Sequence, residues 1–401
     1  MTPKRLLLLT DAPAPPLYTP RMRYLVRYLT NRGWECTVAS ETMPGVDFQF
    51  AACRHLCYAY YTEGHRLRNA LRRLMDWQWL LKERLFARWL RQQIAGEHYD
   101  CLLCSTFNLF PLPTAAQIAR EAGIPLIADL RDIDEQWGEA SFTQRKIPEG
   151  LKPLFRLYRR RAVRLRNRAL KQADVVTTVS PWHQAVLQRL HPRVELIYNG
   201  FDEELFQPTR QQTDTFRIVY TGRIYDFALR NPDLLFRGLQ QVDKNKRIQV
   251  DFYCEESQHL ALRQMAEKYG VDLCLHLHHF VANDAVPALL SQASICLILT
   301  NRAGDNGPHG ILTTKFYEAL GIEKPILCVP SDHGCLSEVI RMTNAGLAAD
   351  TPEEVADFIN AQYDEWLRQG YTRQPVRNKE LFNRQKQAEQ FESLFCHSAH
   401  L

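Results

Sequence analysis

The sequence predicts an α/β protein of two domains, each a parallel sheet covered by helices. Three observations predict it. Short apolar runs alternate with helical patterns along the whole chain, the order that makes parallel βαβ units. The series is interrupted once, at Asn199-Gly-Phe-Asp-Glu-Glu-Leu-Phe-Gln-Pro208, whose turn residues lead into the polar stretch 209–215, and it then starts again. The length, 401 residues, suits two domains of ordinary size.

In the first series, residues 5–10 read as a strand and the Pro-rich 11–20 as a turn. Residues 21–32 read as a helix ended by Gly33, and 34–39 as the next strand. Further strands are expected at 100–105, 125–129, 175–179 and 195–198, with helices between them. The second series opens with a strand at 216–221, followed by Gly222 and Arg223 and a helix from about Pro232. Strands follow at 249–253, 273–277, 295–299, 325–329 and 346–349. Helices are expected at 336–342 and 352–369, and a final helix, 379–396, has no strand after it. Ligand loops in such units lie at the carboxyl ends of the strands, so the two sheets are expected to face each other across a cleft.

Composition narrows the function classes. A net charge of +5 makes no global case for nucleic acid. No run approaches the roughly 18 apolar residues of a membrane span. The N-terminal leucine run stops at Thr10 and Asp11, too short for a signal peptide, so a cytoplasmic protein is expected. Eleven cysteines without regular spacing suit reduced thiols. Cys101 and Cys104 form a CxxC, but on a strand an offset of three sends them to opposite faces. His276, His278 and His279 lack a further ligand at metal spacing.

Two predicted helices are very basic. Residues 66–91 carry Arg66, Arg68, Arg72, Arg73, Lys82, Arg84, Arg88 and Arg91 against Asp76 and Glu83, mixed with Trp77, Trp79, Phe86 and Trp89. Residues 152–171, from Lys152 to Lys171, carry nine Lys or Arg and no acid. Such helices suit either a solvated outer face or an anionic membrane surface. The second places the chain on the inner face of the plasma membrane.

The chemistry is concentrated after the strand at 295–299. Gly307, Pro308 and Gly310 allow a sharp turn; Thr313 and Thr314 are cap residues; a helix follows, and Gly321 is expected to stop it. A turn feeding a helix N-terminus is an anion site. Lys315 adds a charge suited to phosphate, and Glu318, one turn on, suits a pair of ribose hydroxyls. Together they point to a nucleotide. Arg223 and Arg230 can add guanidinium groups near its phosphates. The first domain offers Asp129-Leu-Arg-Asp132 at one strand end and Ser105-Thr106 at another; Asp129 and Asp132 are the candidate catalytic groups. The turn after the first strand lacks G-x-G-x-x-G, so no dinucleotide is expected there.

These residues resemble a known family. Ala173-Asp-Val-Val-Thr-Thr-Val-Ser180, then Val194-Glu-Leu-Ile-Tyr-Asn-Gly-Phe-Asp202 with Phe206, resemble the domain junction of retaining, B-type, two-Rossmann-domain glycosyltransferases of the group 1, family 4-like class. Val219-Tyr-Thr-Gly-Arg223 resembles the first donor-domain strand, and Thr314-Lys-Phe-Tyr-Glu318 with Gly321 and Lys324-Pro325 the nucleotide-sugar segment. Arg21, Leu25, Leu29, Gly33 and Trp34-Glu-Cys-Thr-Val38 resemble the N-terminal unit.

The resemblance implies an acceptor domain over 1–205, a donor domain over 206–378, and a final helix, 379–401, that returns to the first domain. It implies a UDP- or GDP-type sugar donor, a glycan or lipid-linked acceptor, and no metal or other cofactor. Glu318 would grip the ribose. Arg223, Lys315, Arg230, Thr314 and Gly310 would meet the diphosphate. Two features depart from the family pattern. Gly310 stands where many relatives carry a sugar-contacting Glu, and the loop at 13–20 lacks their glycine pair. A nucleotide-sugar 2-epimerase of the same fold, or a binding scaffold without catalysis, are the alternatives.

Overall fold

The computed structural model describes residues 3–11, 20–42, 50, 53–62, 64–107, 109–138, 147–224, 230–300 and 308–398. The chain divides into two compact units, one of residues 1–136, 147–198 and 384–401, the other of 137–146 and 199–383.

In the first unit β1 (Arg5–Thr10), α1 (Pro20–Asn31), β2 (Glu35–Glu41) and β3 (Arg54–Tyr58) are followed by α2 (Arg66–Trp79) and α3 (Leu81–Gln93). Then come β4 (Cys101–Thr106), α4 (Leu112–Ala122), β5 (Leu126–Leu130), α5 (Lys152–Leu170), β6 (Val175–Thr178), α6 (Pro181–Leu187) and β7 (Val194–Leu196). The strands pair in parallel in the order β3-β2-β1-β4-β5-β6-β7. The period-two pattern sorts side chains to two cores. Leu6, Leu8, Cys101 and Leu103 join one, and Leu7, Leu9, Leu102 and Cys104 the other. The two CxxC thiols therefore lie on opposite faces, as their spacing predicts.

In the second unit the order is β8 (Phe216–Thr221), α7 (Asp233–Gln240), β9 (Ile248–Tyr253), α8 (His259–Tyr269), β10 (Leu275–His278), α9 (Val286–Ser291) and β11 (Ile295–Leu299). It continues with α10 (Thr314–Ile322), β12 (Ile326–Val329), α11 (Cys335–Thr343), β13 (Gly346–Ala348) and α12 (Pro352–Gln369). These strands are also all parallel, in the order β10-β9-β8-β11-β12-β13. The polar stretch 209–215 folds with this unit: Trp366 Nε1 donates to Thr213 Oγ1 at 2.9 Å, and Thr213 N to Gly370 O at 2.8 Å.

The last helix, α13 (Arg384–Ser398), returns to the first unit. Ala388, Phe391 and Phe395 enter its core beside Met22, Leu25 and Leu29. Glu392 collects Tyr28 Oη, Arg32 Nε and Trp34 Nε1. The expected helix at 379–396 is in fact two pieces. Lys379–Phe382 is a 3-10 turn whose Phe382 packs on Phe316 and Tyr317 in the second unit.

Three further differences have physical causes. The helix expected over 66–91 is broken at Leu80, which has φ 51°. Helix α3 must turn Phe86, Ala87 and Leu90 into the core, whereas α2 buries nothing; Asp76 Oδ1 spans the break and accepts Lys82 N at 2.7 Å. Strand β3, Arg-His-Leu-Cys-Tyr, sits at a sheet edge, so its polar residues gave no apolar signal. Gly321 does not stop α10. It lies inside the helix, where a Cβ would meet Phe206 and Phe201 at 2.8–2.9 Å, and Glu323, at φ 63°, is the cap. Gly321 is there for close approach.

Candidate functional site

In the second unit the site grows from β8 and α10. Gly222 follows β8 with φ 117°, and a Cβ there would stand 2.9 Å from Lys315 Nζ. The backbone passes close beside the ammonium group here, in a conformation that favours glycine. Lys315 Nζ also lies over the Tyr220 ring, 5.2 Å from its centroid. Tyr220 is buried, and its hydroxyl donates to Arg223 O at 2.9 Å. The Arg230 guanidinium donates to the same carbonyl. Arg223 itself is exposed.

Helix α10 buries Phe316, Tyr317, Ala319 and Leu320, which leaves Lys315 and Glu318, three apart, on its half-buried side. Burial, reinforced by Arg230, pulls the Lys315 ammonium down to about 7; Glu318 and Glu255 oppose that shift. Among the described residues no carboxylate lies within ion-pair distance of Lys315. The N-terminus of α10 has no side-chain cap, although Phe316 N donates to Thr313 O at 3.1 Å. Thr313 is extended and makes no side-chain cap bond, whereas Thr351 Oγ1, at the start of α12, accepts Glu354 N at 3.2 Å. A helix N-terminus without a side-chain cap, beside a half-buried cation, suits an anion. Thr314 is exposed in the first turn, and Gly310, at φ 68°, shapes the preceding turn. Gly307 lies outside the described residues.

In the first unit the two candidate carboxylates have separate surroundings. Asp129 is fully buried. Its Oδ1 accepts Arg21 Nη2 at 3.0 Å and Thr177 Oγ1 at 2.8 Å, and its Oδ2 accepts Ser105 Oγ at 2.8 Å. A carboxylate so enclosed and so fully bonded ties strands together. Of the two carboxylates expected to be catalytic, Asp129 therefore has the surroundings of a framework residue. Sequence reasoning missed its partner: Arg21, 4% exposed, also binds Ile197 O and Tyr198 O. Asp132 is half-buried. Burial raises its carboxyl above the usual range, while Gln136, donating to Oδ1 at 2.8 Å, partly offsets this.

The first sheet reverses strand order between β1 and β4, the place where open α/β sheets bind ligands. Asp11, Phe107 and Arg131 gather there, a cluster sequence reasoning also missed. Arg131 Nη2 donates to Asp11 Oδ1 at 2.7 Å, and the guanidinium lies over Phe107, 4.1 Å from its centroid. The loop at 13–20 lies outside the described residues except Pro20. Elsewhere, His278 Nε2 meets Asp251 Oδ1 at 2.7 Å, a partner from the neighbouring strand that sequence spacing did not reveal. Among the described residues no group of three His, Cys, Asp or Glu could hold a metal.

Residues 21–205 match the family model described as Glycosyltransferase Family 4. No curated protein sequence matches the chain significantly. Solved structures match its fold over almost the whole length. Sucrose-phosphate synthase from Thermosynechococcus elongatus is similar with a TM-score of 0.66 at 15% identity, covering 98% of both chains. Anabaena HepE in complex with UDP-glucose gives 0.64 at 16%, covering 98% of this chain and 99% of that one. WaaG, a glycosyltransferase involved in lipopolysaccharide biosynthesis, gives 0.54 at 15%, covering 96% and 93%. At these identities the likeness is one of fold.

Proposed function

We propose that this chain, a glycosyltransferase of the two-Rossmann-domain type, moves a sugar from a UDP- or GDP-type donor to a glycan or lipid-linked acceptor. Transfer would retain the anomeric configuration and serve cell-surface polysaccharide or glycolipid synthesis on the cytoplasmic face of the membrane. The observation that carries the donor half is the pairing of Lys315, half-buried with no carboxylate at ion-pair distance among the described residues, with Glu318 on the same side of α10. The HepE complex with UDP-glucose supports a UDP-type donor for a chain of this fold.

In the reaction the bond from the anomeric carbon to the diphosphate breaks, and the electron pair leaves with the nucleoside diphosphate. Lys315, Arg223, Arg230 and the open N-terminus of α10, with Thr314 and Gly310, receive that charge. Such preorganised donors are worth most where water is scarce. Glu318 holds the ribose hydroxyls. The acceptor hydroxyl forms the new bond and gives up its proton. Asp132, whose carboxyl is raised by burial, is the first-unit group suited to take part in that transfer. Asp11, Arg131 and Phe107 suit a sugar acceptor, which needs a carboxylate, a cation and a ring face. No metal step is invoked. The basic helices α2 and α5 are the surface that would meet an anionic membrane.

The test is calorimetry with UDP and GDP on the parent and Glu318→Ala. A loss of about 2–4 kcal/mol is expected, because the bonds are charge-assisted, with the melting temperature little changed. Equal affinity would end the ribose assignment. Donor incubated without acceptor separates the rivals: a new sugar nucleotide would mean an epimerase, and tight binding with no turnover under any acceptor a scaffold.

A further inference from the structure

Half of the sixteen large apolar side chains exposed among the described residues stand on or beside α2 and α5, helices of 14 and 19 residues. Leu67, Leu71 and Leu74 are 87%, 56% and 54% exposed. At 3.6 residues per turn they fall within about 60° of the α2 circumference, and none of that helix's residues is buried. Leu154 and Leu157, 48% and 58% exposed, make a matching line on α5. The two helices are joined: the Arg161 guanidinium donates to Trp77 O and, at 2.8 Å, to Gln78 O.

The charge around these leucines is mostly of one sign, with exposed Glu149, just before α5, paired to Lys152. Arg66 and Arg73 flank the α2 line on one side and Arg68 on the other, all exposed. The single acid of α2, Asp76, is occupied by Tyr60 Oη at 2.7 Å and Lys82 N. Helix α5 has no acid. A leucine line between cationic flanks is complementary to a lipid surface whose headgroups are anionic and whose interior is apolar. Among the described residues no helix is long and apolar enough to cross a membrane, and the contact proposed is one of lying on the surface.

The geometry points to α2 and α5 forming one docking face, in which Leu67, Leu71, Leu74, Leu154 and Leu157 insert into an anionic bilayer while the arginines meet the headgroups. This rests on the reading above that the acceptor is reached at a membrane, and adds that insertion, not charge alone, holds the protein there. The aromatics divide accordingly. Phe86 and Trp89 of α3 pack in the core, and Trp79 of α2 remains exposed.

The test is sedimentation with vesicles of phosphatidylcholine alone or mixed with anionic phospholipid, at low and high salt. It compares the parent, the triple variant Leu67→Ser, Leu71→Ser, Leu74→Ser, and the triple variant Arg66→Gln, Arg68→Gln, Arg73→Gln. The leucines are exposed, so folding is preserved and unchanged melting checks it. The parent should bind anionic vesicles and keep part of that binding in high salt. The leucine variant should lose about tenfold in partitioning at low salt, from lost apolar transfer, and all of the salt-resistant part. The arginine variant should lose mainly the salt-sensitive part. A leucine variant that partitions like the parent would overturn insertion while leaving charge docking intact. Equal binding to both vesicle types, or none, would overturn the membrane face altogether. So would a parent dimer that the leucine variant dissolves, which would assign the face to a second copy. Transfer to a water-soluble acceptor reports separately on the transferase reading, which none of these outcomes touches.

Discussion

Asp129 and Lys315 are charged residues next to strand ends, one in each unit, and they are treated in opposite ways. Asp129 is sealed and given three donors, one of them a buried guanidinium. Lys315 is half-buried, pushed toward neutrality, and has no carboxylate at ion-pair distance among the described residues. A buried charge that is fully paired is part of the framework. One that is held under strain with open surface beside it is prepared for something that arrives later. Burial and charge alone do not distinguish the two; the presence or absence of a partner does.

The sharpest way to break this contrast is Asp129→Ala. It strands Arg21 in the core, so about 3–5 kcal/mol of unfolding free energy should be lost, measured by denaturant titration. Nucleoside diphosphate affinity of the protein that remains folded should be unchanged. A small stability loss with a large affinity loss would reverse the assignments.

Lys315→Met should do the converse. Diphosphate binding should weaken by about 1.5–3 kcal/mol, more than monophosphate binding, while stability at pH 7 holds or rises. The pH dependence follows. Lysine ordinarily titrates near 10.5 and Lys315 near 7. Between those values the unfolded chain binds a proton that the folded one does not, so stability rises with pH across that window and is flat below it. Denaturant midpoints at pH 7 and pH 10 should show a smaller rise in Lys315→Met. Because a bound diphosphate favours the charged amine, binding at pH 8 should take up a proton, visible as a buffer-dependent heat.

The smallest effect concerns the two threonine caps. Thr351→Ala should cost about 1 kcal/mol, the usual worth of a side-chain cap. Thr313→Ala should cost only a few tenths, since that side chain caps nothing in the free protein. Equal costs, read from melting curves, would mean that the α10 N-terminus is closed by its own residues.

Much of this was legible in the sequence. Runs such as Leu6–Leu9 and Ile295–Leu299 are buried on both faces and read as continuous apolar strands. Thr314, Lys315 and Glu318 could be placed because glycine, cap and helix period act within a few residues. What was missed depends on distant partners. Arg21 and Asp129 are 108 residues apart, and Arg131 and Asp11 120. The edge strand β3 has too few apolar residues to announce itself. Gly321 was misread because a helix-interior glycine and a helix-ending one look alike until Phe201 and Phe206 are seen against it.

Helix α2 buries none of its fourteen residues. Beyond helix propensity, the joint at Leu80 and the bonds that Asn69, Arg72 and Asp76 make to Thr62, Tyr60 and Lys82, little constrains its sequence, and its solvent-facing positions can drift or be redesigned with little loss of foldability. In a lineage of related chains, this is where the proposed docking face could change most readily. In the laboratory it is a graft site: exchanging the exposed residues of Arg66–Trp79 while keeping Asn69, Arg72 and Asp76 should alter what the proposed face docks on and leave the fold of the remainder intact.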